Sequence, residues 1–266
     1  MGKVLVVTNR KGGCGKSFTS MSIAAGLARQ GKKILCIDTD NQHSLTISMG
    51  IAEPSKLPMT IATAITSIIN KEGFDPTAGI ISHEEGFDLM PANNSLTGVQ
   101  LSLGSMMVGR EVVLRHYTEM IKPLYDLIIL DTCPTMDLLT INTLAAADEA
   151  LIPVAPKFLD AKGLELLLGS IAQVREYINP NLSIAGILLT MVDNRTNFSR
   201  EIIAMINEAY GEKIHIFKDQ IPHSVRATET SATGKSIFRH DPNGKVSAAY
   251  ASLADELISR GVLGHA

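Results

Sequence analysis

Apolar residues in this chain fall into short unbroken runs, and between the runs they recur every three or four positions. The runs KVLVVT (3–8), KILCID (33–38), FDLMPA (87–92), YDLIILD (125–131), EALIPVA (149–155) and LSIAGILLTMV (182–192) are rich in Val, Ile and Leu. Consecutive apolar positions of that kind suit strands buried on both faces of a parallel sheet. Helical spacing occupies 17–31, which ends on Gly31 as a C-cap candidate, and then 111–122, 136–147, 160–178, 199–210 and 246–260. Strand and helix alternating at this spacing predict βαβ units. The expected fold class is α/β: three layers, a mostly parallel twisted sheet with helices on both faces. The stretch 52–86 carries prolines and only weak periodicity, so its structure is left open. No repeat, low-complexity tract or Pro/Ser-rich linker interrupts the pattern, and residues 1–266 read as one domain.

Composition narrows the class further. The 266 residues are 45% hydrophobic and 19% charged with a formal net charge of −3, so binding to nucleic acid would need a local basic patch. Cys14, Cys36 and Cys133 show no CxxC spacing, which argues against a disulfide framework or a zinc site and for a reducing compartment. The chain enters its first strand without a leader-like segment, and its apolar runs fall short of the ~18 residues a spanning helix needs. A cytoplasmic protein without a membrane segment is the expectation.

The chemistry concentrates at the ends of three of the runs. KGGCGKS (11–17) follows the first strand and opens the first helix. There Gly12, Gly13 and Gly15 would let the backbone turn tightly and aim N–H groups at phosphate oxygens, aided by the helix dipole. Lys16 would neutralise β- and γ-phosphates and the Ser17 hydroxyl would ligate Mg²⁺. One feature departs from the ordinary phosphate loop: Arg10 stands where a glycine is expected, and a second lysine, Lys11, follows it. The run ILCIDTDNQHSLT (34–46) ends in Asp38 and Asp40, and YDLIILDTCPT (125–135) ends in Asp131. Carboxylates at the C-terminal edge of a parallel sheet face the ligand crevice, and Asp131 matches the acid that holds Mg²⁺ in phosphate-loop proteins. Cys14 reads as a small space-filling residue, Cys133 as no nucleophile because no evident base accompanies it, and His43 as a loop residue.

KGGCGKS resembles the deviant Walker A loop of the ParA/MinD family of ATPases, and the small, type Ib-like ParA/Soj partition ATPases are the nearest branch. The resemblance extends over LIPVAPKFLDAKGLELLL (151–168), LTMVDNRTNFS (189–199), IPHSVRATETSATGKSI (221–237) and HDPNGKVSAAYASLADEL (240–257), nearly the whole chain. It implies a homodimer with ATP sandwiched at the interface, in which Lys11 reaches across to the partner's phosphates. It implies that Asp40 orients the attacking water and that Asp38 lies near the Mg²⁺ shell with Ser17 and Asp131. The nucleotide-binding run extends from Lys11 through Cys14 to Phe18, and segments carrying Met191 and Pro222 wall the adenine pocket. Arg195 and Arg226 fall where ParA proteins carry arginines for sequence-independent DNA binding, with Arg200, Lys235 and Lys245 as lesser candidates. Asn41 and Cys133 replace prolines usual in the family.

The implied function is an ATP-dependent switch that binds DNA nonspecifically, associates with the nucleoid when ATP-bound, and drives plasmid or chromosome partition with a ParB-like activator. Two alternatives keep the same loop: a MinD-like or cargo-positioning ATPase on a membrane or protein surface, and a metabolic ATP-dependent ligase. The chain's ending, LISRGVLGHA, is poor in lysine, so the last helix reads as core packing, with Val246, Ala249, Tyr250, Leu253, Leu257 and Ile258 on one face, and no membrane partner is expected.

Overall fold

The computed structural model describes residues 2–264, the side chain of Ala161 excepted. In chain order the elements are β1 (Lys3–Val7), α1 (Lys16–Ala28), β2 (Ile34–Asp38), α2 (Ser44–Ser48), α3 (Ile61–Asn70), β3 (Ile81–Ser82), β4 (Asp88–Met90), α4 (Leu96–Ser105) and α5 (Val113–Ile121). They continue with β5 (Leu127–Asp131), α6 (Leu138–Ala146), β6 (Glu149–Val154), α7 (Phe158–Tyr177), β7 (Ser183–Leu189), α8 (Asn197–Tyr210), α9 (Val225–Glu229), α10 (Ile237–His240) and α11 (Lys245–Ser259). Seven strands form one sheet in the order β3-β4-β2-β5-β1-β6-β7. Every neighbouring pair is parallel except β3–β4 at the edge.

The strand pleat divides the core in two, because successive side chains point to opposite faces. Val4, Val6, Leu35, Ile37, Ile128 and Leu130 belong to one apolar cluster, covered by α3 to α8. Leu5, Val7, Ile34, Cys36, Leu127 and Ile129 belong to the other, covered chiefly by α1 and α11. The expected three-layer α/β fold is therefore present, and the six expected strands and six expected helices all form, with ends shifted by a few residues. The open stretch 52–86 contains α3, capped by Thr60, which shares a capping box with Thr63. Also absent from the sequence reading are α4, the two-residue β3, and the short helices α2, α9 and α10.

The topology fixes where chemistry can occur. β1, β2 and β5 lie side by side at the sheet centre, and their register pairs Val7 with Asp131 and Asp131 with Asp38. The loop that follows β1 thus emerges beside two strands that both end in aspartate.

Candidate nucleotide site

The loop between β1 and α1 is held from several sides. Asn9 donates from Nδ2 to the Pro153 carbonyl (2.7 Å) at the end of β6, and its Oδ1 accepts from the Lys11 N–H (3.0 Å). Thr190 Oγ1, just past β7, donates to the Cys14 carbonyl (2.9 Å). Gly13 and Gly15 turn with φ of 73° and 86°, which L side chains rarely adopt, so these two glycines are conformationally required. Gly12 has open space around it and is not in that region, so its lack of a side chain serves access rather than the turn. Gly15 is also the N-cap of α1, with no side-chain cap and no acid in the first turn. The dipole and N–H groups of that helix start are left to an external anion.

The two lysines occupy different environments. Lys16 is buried, and its Nζ donates to the Lys11 carbonyl (3.2 Å), which folds it over the loop. Lys11 is exposed at the surface of the same turn. Cys14 is buried, donates to the Lys11 carbonyl (3.2 Å), and has its thiol pKa raised by that burial.

Asp38 and Asp131 are fully buried neighbours. Burial raises both carboxyls, Asp38 to about 6 and Asp131 to about 7, and each raises the other further or is raised by another acid: Asp131 by Asp38, and Asp38 by Asp40. Their hydrogen bonds differ. Asp38 accepts from Thr46 N–H (2.8 Å) and Oγ1 (2.7 Å) on one oxygen and from the Asp40 N–H (3.1 Å) on the other. It is thereby committed to fixing the loop that carries Asp40 and the start of α2. Asp131 accepts from Ser20 (3.1 Å) on Oδ1 and interacts with the Ser17 hydroxyl, while its Oδ2 is buried without a partner. A buried acid with an unused oxygen and a deficit of positive charge has the donor chemistry of a hard-cation site, and Ser17 stands next to it. Asp40 is nearly buried and accepts from the Gln42 N–H (2.9 Å).

After β5, Cys133 lies within hydrogen-bonding reach of the Thr135 (3.1 Å) and Thr140 (3.2 Å) hydroxyls, and burial raises its pKa. It is a structural thiol in a turn anchored by Asp137, which caps α6 through Leu139 and Thr140 N–H groups.

Beyond the helix start lies a cavity of about 240 Å³ with a largely apolar wall. Met191 and Pro222, whose segments the resemblance assigns to the base, both line it, as does Phe18 from the end of the nucleotide-binding run. Met191 has φ of 53°, a strained left-handed conformation, and its Cε lies 3.7 Å from where a Cβ on Gly15 would stand. The sequence reading missed Met21, Ser48, Thr228, Thr230 and Tyr250, which also line the wall. Their polar or core-like character gave no signal of a ligand.

The two arginines expected to meet DNA are exposed but paired. Arg195, between β7 and α8, makes two 2.8 Å contacts with Asp193 and holds that carboxyl down to about 2. Arg226, in the first turn of α9, faces Glu229 at 3.6 Å. Arg200 donates to Asn197 (2.8 Å), and Lys235 and Lys245 are exposed. Among the described residues, no helix is long and apolar enough to cross a membrane.

Comparison with known proteins agrees with this geometry. A family model described as an AAA domain matches residues 2–184. The sporulation initiation inhibitor protein Soj of Bacillus subtilis is 34% identical over 98% of this chain and 100% of its own length. The chromosome-partitioning ATPase Soj of Thermus thermophilus is 33% identical, over 96% of this chain and 95% of its own. Among solved structures, cobyrinic acid a,c-diamide synthase from Mycobacterium smegmatis with bound ATP analogue and magnesium superimposes with a TM-score of 0.84 at 30% identity, covering 98% of this chain and 96% of that one.

Proposed function

The chain belongs to the ParA/MinD family of deviant Walker A ATPases, and from that footing we propose that it is a ParA-type switch: ATP closes two copies face to face, the dimer holds DNA without reading sequence, and a ParB-like protein triggers hydrolysis and release. As a member of that family it hydrolyses ATP with Mg²⁺.

In this reading the α1 start and the loop N–H groups take the phosphates, with Lys16 as their buried counter-charge. Ser17 and Asp131 would hold Mg²⁺, which supplies charge neutralisation across the phosphates. Asp38 acts one step back, fixing Asp40, whose carboxylate would orient the attacking water. The apolar cavity behind Phe18 would take adenine. The observation that carries the dimer is the contrast between the lysines: Lys16 is folded into its own loop, whereas Lys11 is exposed on a turn stapled by Asn9 and Thr190. A cation displayed on a rigid turn is available to a second copy's ligand.

Mass measurement with ATP and Mg²⁺, paired with nucleotide-binding titration, tests this. Wild type should shift to dimer. Lys16→Ala should lose nucleotide binding altogether, and Lys11→Ala should bind ATP as a monomer, neither dimerising nor hydrolysing it. A Lys11→Ala protein that dimerises normally refutes the trans role. The diamide synthase relationship supports a second reading as a small-molecule ligase; ATP turnover that requires a small carboxylate and ignores DNA would favour it.

A further inference from the structure

The C-terminal helix α11 reads as core packing, yet one of its residues reaches the cavity. Tyr250 is 1% exposed and is among the largest fully buried side chains. Its ring lines the cavity and meets the Phe18 ring edge-on, with centroids 5.5 Å apart and planes at 73°. Its hydroxyl lies 2.8 Å from the Thr19 hydroxyl, a fully buried contact between α11 and the first turn of α1.

That hydrogen bond has a physical cost that packing does not explain. Burying two hydroxyls is compensated only by their bond to each other, and a Phe–Val pair of the same shape would serve the core as well. What the pair adds is placement. The hydroxyl contact ties the tyrosine ring to α1, and the ring packs edge-on against Phe18. Phe18 and Thr19 are the two residues directly after Ser17, and the Thr19 N–H closes the first turn of α1 on the Gly15 carbonyl (2.8 Å). A single side chain therefore touches the cavity wall and the helix turn that opens the phosphate loop. Burial drives the Tyr250 pKa upward, so the phenol keeps its proton across the working range.

We propose that Tyr250 is a positioning residue for the nucleotide base: through Thr19 and Phe18 it holds the floor of the cavity at the depth a purine ring needs. The proposal rests on the reading of this site as an ATP site. Because the phosphate cradle is built from loop N–H groups, Lys16 and Ser17, the contribution of Tyr250 belongs to the base and not to the phosphates.

Titration of Tyr250→Phe with ATP and, separately, with inorganic triphosphate tests it, both with Mg²⁺. The ring and the fold are retained, so the expected result is ATP affinity weakened roughly fivefold with triphosphate affinity unchanged. Thr19→Val should reproduce that loss, and the double variant should be no worse than either single one. Unchanged ATP affinity in Tyr250→Phe, or an equal fall for ATP and triphosphate, overturns the proposal. Wild type that fails to bind ATP would overturn the underlying site reading instead.

Discussion

At the scale of single residues, the pair Asp38–Asp131 buries two like charges side by side. Both carboxyls are raised by burial and by neighbouring acids, so folding favours their protonated forms. The sign follows from linkage: stability tied to a raised acid is fully present below its unfolded pKa, about 4, and is lost as pH rises through the folded values of about 6 and about 7. The nucleotide-free protein should therefore lose thermal stability between pH 4 and 7 from this source, and Mg²⁺ should reverse the loss by favouring the charged form of Asp131. Asp131→Asn removes the like-charge penalty. At pH 8 without metal it should melt higher than wild type by about 5 °C, equivalent to on the order of 2 kcal/mol, while Mg²⁺-dependent hydrolysis disappears. Scanning calorimetry across pH checks both halves; a lower melting point for Asp131→Asn at pH 8 would show that the acid is already compensated within the protein. Asp38→Asn is a less clean probe, since Asp38 also organises Thr46 and Asp40.

At the scale of elements, α2 joins the two ends of the site. Thr46 ties it to Asp38, Ser48 lines the base cavity, and Gly50 at its end meets Gly234 backbone to backbone. Gly234 has φ of 67°, and a Cβ there would lie 2.8 Å from the Gly50 Cα, with no flexible side chain able to yield. Gly234→Ala should cost about 1–3 kcal/mol, roughly 3–10 °C in melting temperature. Amide exchange should rise in 44–50 and 225–236 and stay unchanged in the central strands. Little of this joint is legible in the sequence, because a glycine–glycine approach between segments nearly two hundred residues apart leaves no periodic trace. The central strands were legible for the opposite reason: buried on both faces, β1, β2 and β5 read as continuous apolar runs, and the loop glycines and acids stand at their ends. α3 was obscured by Pro54 and Pro58, which precede the helix and do not interrupt it. The helical spacing marks Tyr250 as buried, but a buried aromatic on an amphipathic helix carries no mark of the cavity it also touches.

At the scale of the whole molecule, the proposed DNA contact must overcome an unfavourable charge. Each chain carries −3, so two carry −6 (twice −3), and long-range attraction to a polyanion has to come from a local patch. The arginines offered for that patch are not idle: Asp193 holds Arg195 in a two-contact pair, and Glu229 faces Arg226. Phosphates would have to compete with these carboxylates, which predicts weak binding by one subunit and useful binding only when two sets of arginines act together, since a second contact made within one complex is intramolecular. DNA retention should thus require ATP and Mg²⁺, should be absent with ADP, and should fall steeply between about 50 and 200 mM salt. The pairing also gives a prediction of opposite sign to the usual charge removal. Asp193→Asn frees Arg195 without adding a cation and should strengthen DNA binding severalfold, whereas Arg195→Ala combined with Arg226→Ala should abolish it and leave ATP-driven dimerisation intact. Anisotropy titrations with duplexes of unrelated sequence measure all of these. Equal retention with ATP and ADP, or no gain in Asp193→Asn, would move the DNA contact away from these two arginines and return the question to which surface the ATP-bound dimer presents.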